Sequence, residues 1–424
     1  MMRLIYNIFL YLALPFIFLI LLFPRKGKKS YGTRIGELFG FYHFINNPNT
    51  SGVIWFHTVS VGETIAASRL IREFHKAQPD LQIVVTTTTT TGMEQAEKIG
   101  DFVTHLFAPL DFPHAIALFV RKVRPVALVI METELWPNWL KCCHRHHIPT
   151  VLINARMSER SCDRYAIGNL FYKFFGQYLS LILCQNEEDT QRFKKLGAGK
   201  ILVTGSLKCD LSAPSDQVSS GKEIRDFFNH RKTWIAASTH EGEDEIFLDV
   251  HSRLLASFPE LLLILVPRHP QRFSSVAGKI RTAGLSLSRI SQQDEFDGSS
   301  QVLLGDKMGV MYQLFAASDV AVMGGSFADI GGHNPLEPAA VGIPVIMGSH
   351  YYNFKEFTLK MKEKGGLFLV ESKKELEEKL RNLLTDDNLR ISCGRKAGDV
   401  LKTGKGATHR TLQGILTMIN GSSR

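Results

Sequence analysis

The chain has 424 residues, which is long for one hydrophobic core, so two domains are the first expectation. Its net charge of +9 favours an acidic partner. Nucleic acid is not the expected partner, because the sequence has no zinc-finger spacing, no aromatic RNA-binding motif and no long basic arm. The six cysteines are scattered without a Cys-x-x-Cys pair, which is typical of a reducing compartment.

The first predicted element is an apolar segment from Leu4 to Phe23, long enough at 1.5 Å per residue to cross a hydrocarbon core. Four basic residues follow directly, between positions 25 and 29, and the positive-inside bias then places the rest of the chain in the cytoplasm. We predict an uncleaved membrane anchor over residues 1–24, either spanning the bilayer or dipping into one leaflet. An anionic membrane surface is accordingly the favoured acidic partner.

Strands and helices alternate after this segment. Near-continuous apolar runs such as 125–131 and 149–154 are typical of parallel strands that are buried on both faces. A stretch rich in Ser and Pro interrupts the alternation, which restarts near Thr233. We predict an α/β protein with two Rossmann-like, doubly wound domains facing a cleft, and ligands outside the carboxyl ends of the strands. The predicted boundaries are 25–210 for the first domain, 211–221 for the linker and 222–424 for the second domain, whose last helix is free to pack back on the first.

Three candidate residues follow predicted strands in the first half. Glu63 opens a helix after the strand 53–57, where a carboxylate could act as general base or could only complement the helix dipole, worth about 0.3–1 kcal/mol. Glu132 and Glu134 follow the strand 125–131, and the sequence leaves open which of them faces the site. Lys208 lies at the end of the last strand before the linker, where it could stabilise a phosphate or simply be solvated.

The second half offers a phosphate-binding set. Arg268 and His269 follow a strand within Pro-Arg-His-Pro, whose guanidinium suits phosphate. A glycine-rich loop precedes Asn334, Pro335, Leu336 and Glu337, and its backbone N–H groups and the helix start are expected to face an anion. Capping alone is the alternative, with Asn334 as N-cap, Pro335 as first helical residue and Glu337 completing a capping box. Another predicted helix begins at Gly309, Val310 and Met311.

Several other activities lack their motifs. No Walker loop, no Gly-x-Gly-x-x-Gly fingerprint and no Gly-x-Ser-x-Gly elbow is present. The run Cys142 to His147 is too crowded for one tetrahedral metal site, and we interpret it as a helix end. We expect no metal and no cofactor.

Taken together, the motifs closely resemble those of the 3-deoxy-D-manno-octulosonic acid (Kdo) transferases of Gram-negative lipopolysaccharide assembly. The resemblance runs from the N-terminal segment nearly to the C-terminus. It is carried by HTVSVGE at 57–63, METELWPN at 131–138, GSLKCD at 205–210, AASTHEGEDE at 236–245, VPRHPQRF at 266–273 and GGSFADIGGHNPLEPA at 324–339.

The resemblance implies a GT-B glycosyltransferase that moves Kdo from CMP-Kdo to a lipid A precursor, lipid IVA, on the cytoplasmic side of the bacterial inner membrane. The family's general base corresponds to Glu63, and its transition-state-stabilising residues to Glu132 and Lys208. Its CMP contacts correspond to Arg268, His269, Gly309, Val310, Met311, Asn334, Pro335, Leu336 and Glu337. The alternatives are another GT-B lipid glycosyltransferase that uses a UDP-sugar, and a non-catalytic membrane-anchored protein that binds anionic lipid.

Overall fold

The structure is a computed structural model that describes residues 2–22, 31–44 and 50–422. The chain forms two compact units. Unit 1 takes in the described residues up to Asp210 together with those from Gly406 onwards, and unit 2 runs from Leu211 to Lys405.

Unit 1 contains a seven-stranded parallel sheet in the order β3-β2-β1-β4-β5-β6-β7. Its strands are β1 (Gly52–His57), β2 (Leu81–Thr87), β3 (Val103–Phe107), β4 (Pro125–Met131), β5 (Thr150–Ala155), β6 (Leu181–Cys184) and β7 (Ile201–Val203). Adjacent residues of β1 serve different cores, since Trp55 joins the hydrophobic cluster on one face and Phe56 the cluster on the other. Burial on both faces is the reason that these strands read as continuous apolar runs.

Unit 2 repeats the design with a seven-stranded parallel sheet in the order β10-β11-β9-β8-β12-β13-β14. Its strands are β8 (Thr233–Thr239), β9 (Leu262–Pro267), β10 (Leu287–Arg289), β11 (Val302–Leu304), β12 (Val320–Met323), β13 (Val345–Met347) and β14 (Leu367–Leu369). The prediction of two parallel α/β domains is confirmed.

Seventeen α-helices lie in the described residues. They are α1 (Met2–Leu22), α2 (Val61–Ala77), α3 (Thr90–Glu97), α4 (Pro113–Val123), α5 (Pro137–Arg145), α6 (Glu159–Ala166), α7 (Leu170–Phe174), α8 (Glu187–Lys195), α9 (Ser215–Phe227), α10 (Glu243–Leu255), α11 (Phe273–Thr282), α12 (Met311–Ala316), α13 (Leu336–Ala340), α14 (Lys355–Glu363), α15 (Lys373–Thr385), α16 (Asp387–Gly398) and α17 (Ala407–Ser422).

Helix α1 corresponds to the predicted membrane anchor. Across the stretches 2–22, 31–44 and 50–422, none of the helices combines the length and the apolar character needed to cross a membrane, so the predicted spanning anchor is not supported. Polar side chains of α1 instead bond to unit 1: Arg3 donates to the Pro137 carbonyl at 3.0 Å, and the Tyr6 hydroxyl to Asp111 at 2.9 Å. The basic run at positions 25–29, on which the orientation was predicted, lies outside the described residues.

The junction between the units lies close to Asp210. This buried carboxylate accepts hydrogen bonds from the backbone N–H groups of Gly406 at 3.0 Å and Thr408 at 2.7 Å, so it caps the start of α17 within unit 1. Helix α9 begins at Ser215, inside the stretch predicted as a linker. Ser and Asp suit a first helical turn as well as a loop, which is why composition alone did not locate this helix start.

Candidate active site

Glu63 lies in the first turn of α2, directly beyond the carboxyl end of β1. Its carboxylate accepts hydrogen bonds from the backbone N–H of Val59 at 2.9 Å and from the Ser60 hydroxyl at 3.0 Å, while Ser60 caps the helix by accepting from the Glu63 N–H. The arrangement is similar to a capping box, except that the carboxylate accepts from the Val59 N–H and not from that of the N-cap residue Ser60. Glu63 therefore also has a structural role at the start of the helix. Within the described residues the carboxylate accepts these two hydrogen bonds and no others, so it retains capacity to accept more.

The pKa of Glu63 is raised to about 7, chiefly by burial and also by the negative charges of Glu132 and Glu134, against the opposing effects of the hydrogen bonds from Val59 and Ser60. A carboxyl group with a pKa near neutrality combines substantial basicity with a useful ionised fraction at neutral pH. Glu63 is therefore chemically suited to accept a proton.

Glu132 begins the loop after β4 and adopts a left-handed backbone conformation, with φ of 58°. A non-glycine residue in this region stores strain, and such strain concentrates at functional sites. Its carboxylate, only 8% exposed, forms a salt bridge with the Lys208 ammonium at 2.5 Å and a longer one with Arg156 at 3.4 Å. The structure thus brings Glu132 and Lys208 into direct contact, with Glu63 close enough for the charges of the two glutamates to interact.

Asn154 was missed in the sequence and connects the parts of this site. It also has a left-handed backbone conformation, with φ of 50°, and it is fully buried near the end of β5. Its side-chain amide donates to Glu132 at 3.4 Å, and its side-chain oxygen accepts from the backbone N–H of Leu207 at 2.9 Å. Asn154 therefore holds the segment that carries Lys208 against the loop that carries Glu132. The sequence feature that could have identified Asn154 is its position as a polar residue near the end of a largely apolar strand.

Glu134 is half-buried in the same loop. Burial raises its pKa, and the charge of Glu132 raises it further. Of the two glutamates in this loop, Glu132 is the one bound to Lys208.

In unit 2 the glycine-rich loop between β12 and α13 does bind an anionic group, but that group is the side chain of Glu243. This fully buried carboxylate accepts hydrogen bonds from the backbone N–H groups of Gly325 at 2.8 Å, Phe327 at 2.9 Å and Ala328 at 3.3 Å, and from that of His240 at 2.8 Å. The prediction that these N–H groups face a ligand is wrong for these positions, because an internal carboxylate already satisfies them.

The start of α13 differs by one residue from the predicted capping box. Pro335 is the N-cap, and the helix runs for five residues from Leu336. The Asn334 side chain accepts from the Leu336 N–H at 3.1 Å and donates to the Glu337 carboxylate at 3.4 Å. Burial raises the pKa of Glu337, opposed by the Asn334 hydrogen bond and by the positive charge of Arg268. Glu337 is thus within electrostatic range of one predicted phosphate ligand.

Helix α12 brings another predicted segment to this place. Gly309, with φ of +84°, and Val310 precede Met311, where α12 starts. Burial and the negative charge of Glu337 raise the pKa of the Tyr312 phenol in the first turn. The segments 309–311 and 334–337 are therefore neighbours at the carboxyl edge of the second sheet.

Arg268 and His269 follow β9 at the same edge and are both exposed. None of the salt bridges formed by the described residues uses Arg268, whereas Arg272, one turn later, is held by Asp244 and Glu241. The His269 ring lies 5.5 Å from that of His240, which follows β8. An exposed cation beside imidazoles is a suitable receptor for phosphate or carboxylate.

The cysteine–histidine run at 142–147 is confirmed as a helix end, because α5 stops at Arg145 and the His146 N–H bonds to the Cys142 carbonyl at 3.1 Å. In the part of the chain that the structure describes, no group of three or more His, Cys, Asp or Glu side chains is arranged to hold a metal ion.

Comparison with known sequences gives consistent matches over nearly the whole chain. The family described as 3-deoxy-D-manno-octulosonic-acid transferase (kdotransferase) matches residues 33–211, and the glycosyl transferases group 1 family matches residues 230–399. A 3-deoxy-D-manno-octulosonic acid transferase of Haemophilus influenzae is 38% identical over 97% of this chain and 97% of its own. A probable mitochondrial enzyme of the same name from Arabidopsis thaliana is 34% identical over 94% of this chain and 92% of its own.

Solved structures agree on the architecture. A UDP-GlcNAc 2-epimerase from Neisseria meningitidis has a TM-score of 0.52 and 14% identity, covering 86% of this chain and all of the epimerase. MurG of Acinetobacter baumannii has a TM-score of 0.51 and 10% identity, covering 86% of this chain and 99% of its own. At such low identity these similarities show the fold alone, two parallel α/β domains of the GT-B type.

Proposed function

Because this chain belongs to the family of 3-deoxy-D-manno-octulosonic acid (Kdo) transferases, we propose that it transfers Kdo from CMP-Kdo to a hydroxyl of lipid IVA and releases CMP. It is a glycosyltransferase, and the observation that carries the proposed mechanism is the buried Glu63 carboxyl, with a pKa near 7, beside the Glu132–Lys208 salt bridge.

Glu63 is the general base in this proposal. Its carboxylate takes the proton of the acceptor hydroxyl, whose oxygen attacks the anomeric carbon of Kdo. The bond from that carbon to the phosphate oxygen breaks with its electron pair remaining on CMP, so the configuration inverts. The two hydrogen bonds to Glu63 come from a backbone N–H and a short side chain, which orient the carboxylate without neutralising it.

Lys208 and Glu132 stabilise the charge that develops as this bond breaks. The sugar acquires oxocarbenium character while the phosphate gains negative charge, so a carboxylate and an ammonium are both of use. Their salt bridge at 2.5 Å and the tether through Asn154 hold both side chains in place before the substrates arrive. Such preorganisation lowers the cost of aligning charges during the reaction.

The donor is proposed to bind at the carboxyl edge of the second sheet. Arg268 and His269 are exposed and suit the phosphate of CMP-Kdo and the carboxylate of its sugar. Glu337, with Asn334, is the proposed acceptor of hydrogen bonds from ribose hydroxyls, and the segment 309–311 lies beside it.

Mass spectrometry of the products tests the reaction directly. The purified chain is incubated with lipid IVA and either CMP-Kdo or a UDP-sugar such as UDP-N-acetylglucosamine. We expect a mass increase of one or more Kdo units with CMP-Kdo only. Transfer from the UDP-sugar would favour another GT-B lipid glycosyltransferase, and binding of lipid IVA with no turnover would favour a non-catalytic lipid-binding protein.

A membrane-surface location at the cytoplasmic face of the bacterial inner membrane is part of the proposal. Opposite the polar side chains that bond to unit 1, α1 exposes large apolar residues, among them Leu4 at 65%, Phe9 at 67% and Phe16 at 69%. A helix with one apolar face turned outward suits the interface of a bilayer. We therefore propose that α1 lies in the membrane surface.

A basic groove in unit 1 supports the same location. It has a volume of about 690 Å³, and its lining includes four basic side chains, His114, Arg121, Arg124 and His146, and no acidic one. His114 bonds to Tyr11 of α1 at 2.9 Å, so the groove adjoins the outward-facing helix. Anionic lipid headgroups are the proposed ligands, with Arg121 and Arg124 each contributing about 1 kcal/mol near the membrane surface.

Flotation with vesicles tests this location. In the double variant Arg121→Ala, Arg124→Ala, binding to vesicles of phosphatidylglycerol and phosphatidylethanolamine is expected to weaken by more than tenfold. Two positive charges are lost, at about 1 kcal/mol each. The matched control, Arg281→Ala with Lys374→Ala, removes the same charge from exposed positions of unit 2. Equal losses in both variants would show that only net charge matters.

A further inference from the structure

Two histidine rings meet at the carboxyl edge of the second sheet. The Nε2 atoms of His240 and His333 are 2.8 Å apart, and the rings are stacked, with centroids 5.1 Å apart and planes 4° from parallel. A hydrogen bond between two nitrogens requires one proton between them, so one ring donates and the other accepts. The pair in its neutral form already shares a proton and can take one more.

The backbone is shaped to hold this pair. Gly325 has φ of +68°, and a Cβ there would lie 3.1 Å from His333 Cδ2 and 3.2 Å from its Nε2, so a larger residue would displace the ring. On the other strand, Ser238 has φ of 60° at an irregularity in the pairing of β8 with β9, two residues before His240. Both loops therefore adopt uncommon conformations where they present the rings.

Charged groups of both signs surround the pair. Arg268, His269 and Arg272 face it from the end of β9 and the turn that follows, and Asp244 faces it from α10, where it neutralises Arg272. Glu243 accepts from the His240 backbone N–H and is occupied by the glycine-rich loop. Arg268 is the positive charge that these acidic residues leave uncompensated.

This environment keeps the pair neutral without an anion. The pKa of His333 is lowered to about 3, chiefly by burial and also by the neighbouring His240, Arg268 and His269. Burial also lowers the pKa of His240, as do His269, Arg272 and Arg268, while Asp244 opposes them. An anion bound beside Arg268 would reverse the balance, because it would favour the protonated pair.

We propose that His240 and His333 form an anion subsite of the donor site, which takes up a proton from solvent when the phosphate group of the donor binds. The inference rests on the proposed function, since it assumes that a cytidine phosphate binds at this edge. The protonated pair attracts the phosphate more strongly as the reaction proceeds, because the phosphate gains a negative charge when its bond to the sugar breaks. The pair thus positions the phosphate and adds a second positive charge to that of Arg268.

Calorimetry with CMP as the probe measures this proton directly. Titrating the full chain at pH 7 in buffers of different ionisation enthalpy gives the number of protons taken up per CMP bound. We expect net uptake with CMP and none with cytidine, which lacks the phosphate. His333→Gln and His240→Gln should each abolish the uptake and weaken CMP binding by about tenfold, as for a lost charge-assisted hydrogen bond.

A matched control uses His251, a fully buried histidine of unit 2, whose pKa burial lowers to about 4 and which bonds to the Gln301 carbonyl at 3.0 Å. His251→Gln should leave proton uptake unchanged, and thermal melting verifies that each variant folds. CMP binding without proton uptake, or with uptake that persists in both His240→Gln and His333→Gln, overturns the inference alone. No CMP binding by the unaltered chain overturns the donor assignment and the inference with it.

Discussion

Two glutamates occupy comparable places in the two units and have different environments. Glu63 and Glu243 each lie in the first turn of the helix that follows an interior strand, β1 or β8. Glu243 accepts four backbone N–H groups, whereas Glu63 accepts one N–H and one hydroxyl. A carboxylate surrounded by donors is fixed as a structural anion, and one that is buried with few donors keeps a raised pKa and stays reactive.

The same division applies to the rest of each site. At the carboxyl edge of the first sheet, Glu63 lies beside the salt bridge between Glu132 and Lys208. The acidic side chains there, Glu63, Glu132 and Glu134, outnumber the cations Lys208 and Arg156 that pair with Glu132. In unit 2, Glu243 is held by backbone N–H groups and Asp244 by a salt bridge with Arg272. Arg268 and His269, in contrast, are exposed. The first edge suits proton removal, and the second suits anion binding.

The largest expected effect is on turnover in Glu63→Ala. General-base catalysis contributes about 10²–10⁴-fold, so we expect Kdo transfer to fall by about a thousandfold. CMP affinity should stay nearly unchanged, because Glu63 belongs to unit 1 and the proposed CMP ligands to unit 2. The measurement is initial rate by mass spectrometry with CMP binding by calorimetry. Retained turnover would remove Glu63 from the role of base.

The identical change in the other unit, Glu243→Ala, should act on stability instead. It leaves buried N–H groups of the glycine-rich loop without an acceptor, at about 1–3 kcal/mol each before water enters, so we expect unit 2 to lose about 3 kcal/mol. Thermal unfolding measures the loss, and Glu63→Ala is the control, with the roughly 1 kcal/mol typical of a helix cap. Equal destabilisation by both substitutions would contradict the contrast drawn between the two glutamates.

Lys208→Met tests the salt bridge that adjoins the base. It removes the nearer cation from Glu132, which is 8% exposed, and leaves the longer salt bridge to Arg156 and the hydrogen bond from Asn154. We expect turnover to fall by about a hundredfold, the size typical of losing one electrostatic stabiliser. Arg156→Met is the matched control and should cost less than tenfold, because its contact is longer and its side chain is 45% exposed.

Glu337→Ala distinguishes nucleotide binding from capping. If the carboxylate accepts ribose hydroxyls, CMP affinity should fall by about tenfold, the equivalent of about 1.4 kcal/mol, with little change in the melting temperature. Among the residues that the structure describes, the Glu337 carboxylate accepts one hydrogen bond, from Asn334 at 3.4 Å, so little stability depends on it. A lowered melting temperature with unchanged CMP affinity would favour capping.

The sequence predicted those features of the fold that depend on local patterns. Apolar runs such as β4 identified both parallel sheets. Glu63 and Glu132 were chosen as candidates because they follow predicted strands, at the carboxyl edge where parallel α/β sheets bind ligands. The extent of α9 was not predictable, since Ser and Asp are equally common in loops and in first helical turns.

Long-range partners could not be predicted. The glycine-rich loop has the composition of an anion-binding loop, yet its ligand, Glu243, lies some eighty residues earlier and reaches it only because β8 and β12 are neighbours. Likewise, Asn154 joins Glu132 to the Lys208 segment across three strand ends. Pairings of this kind depend on strand order, which the alternation of strands and helices does not specify.

The smallest expected effect, a shift in the pH dependence of turnover, tests how Glu134 contributes to the reactivity of Glu63. The base must be ionised, so kcat/KM should fall tenfold per pH unit below the Glu63 pKa of about 7 and level off above it. Because the negative charge of Glu134 raises that pKa, Glu134→Gln should lower it and move the acidic limb to lower pH by less than one unit. The plateau at high pH should stay within a few fold of the unaltered chain, since Lys208 pairs with Glu132 and not with Glu134. A plateau that falls a hundredfold with an unmoved limb would mean that Glu134 shares the charge-stabilising role of Glu132, and that the acidic edge of unit 1 works as a pair of carboxylates beside the base.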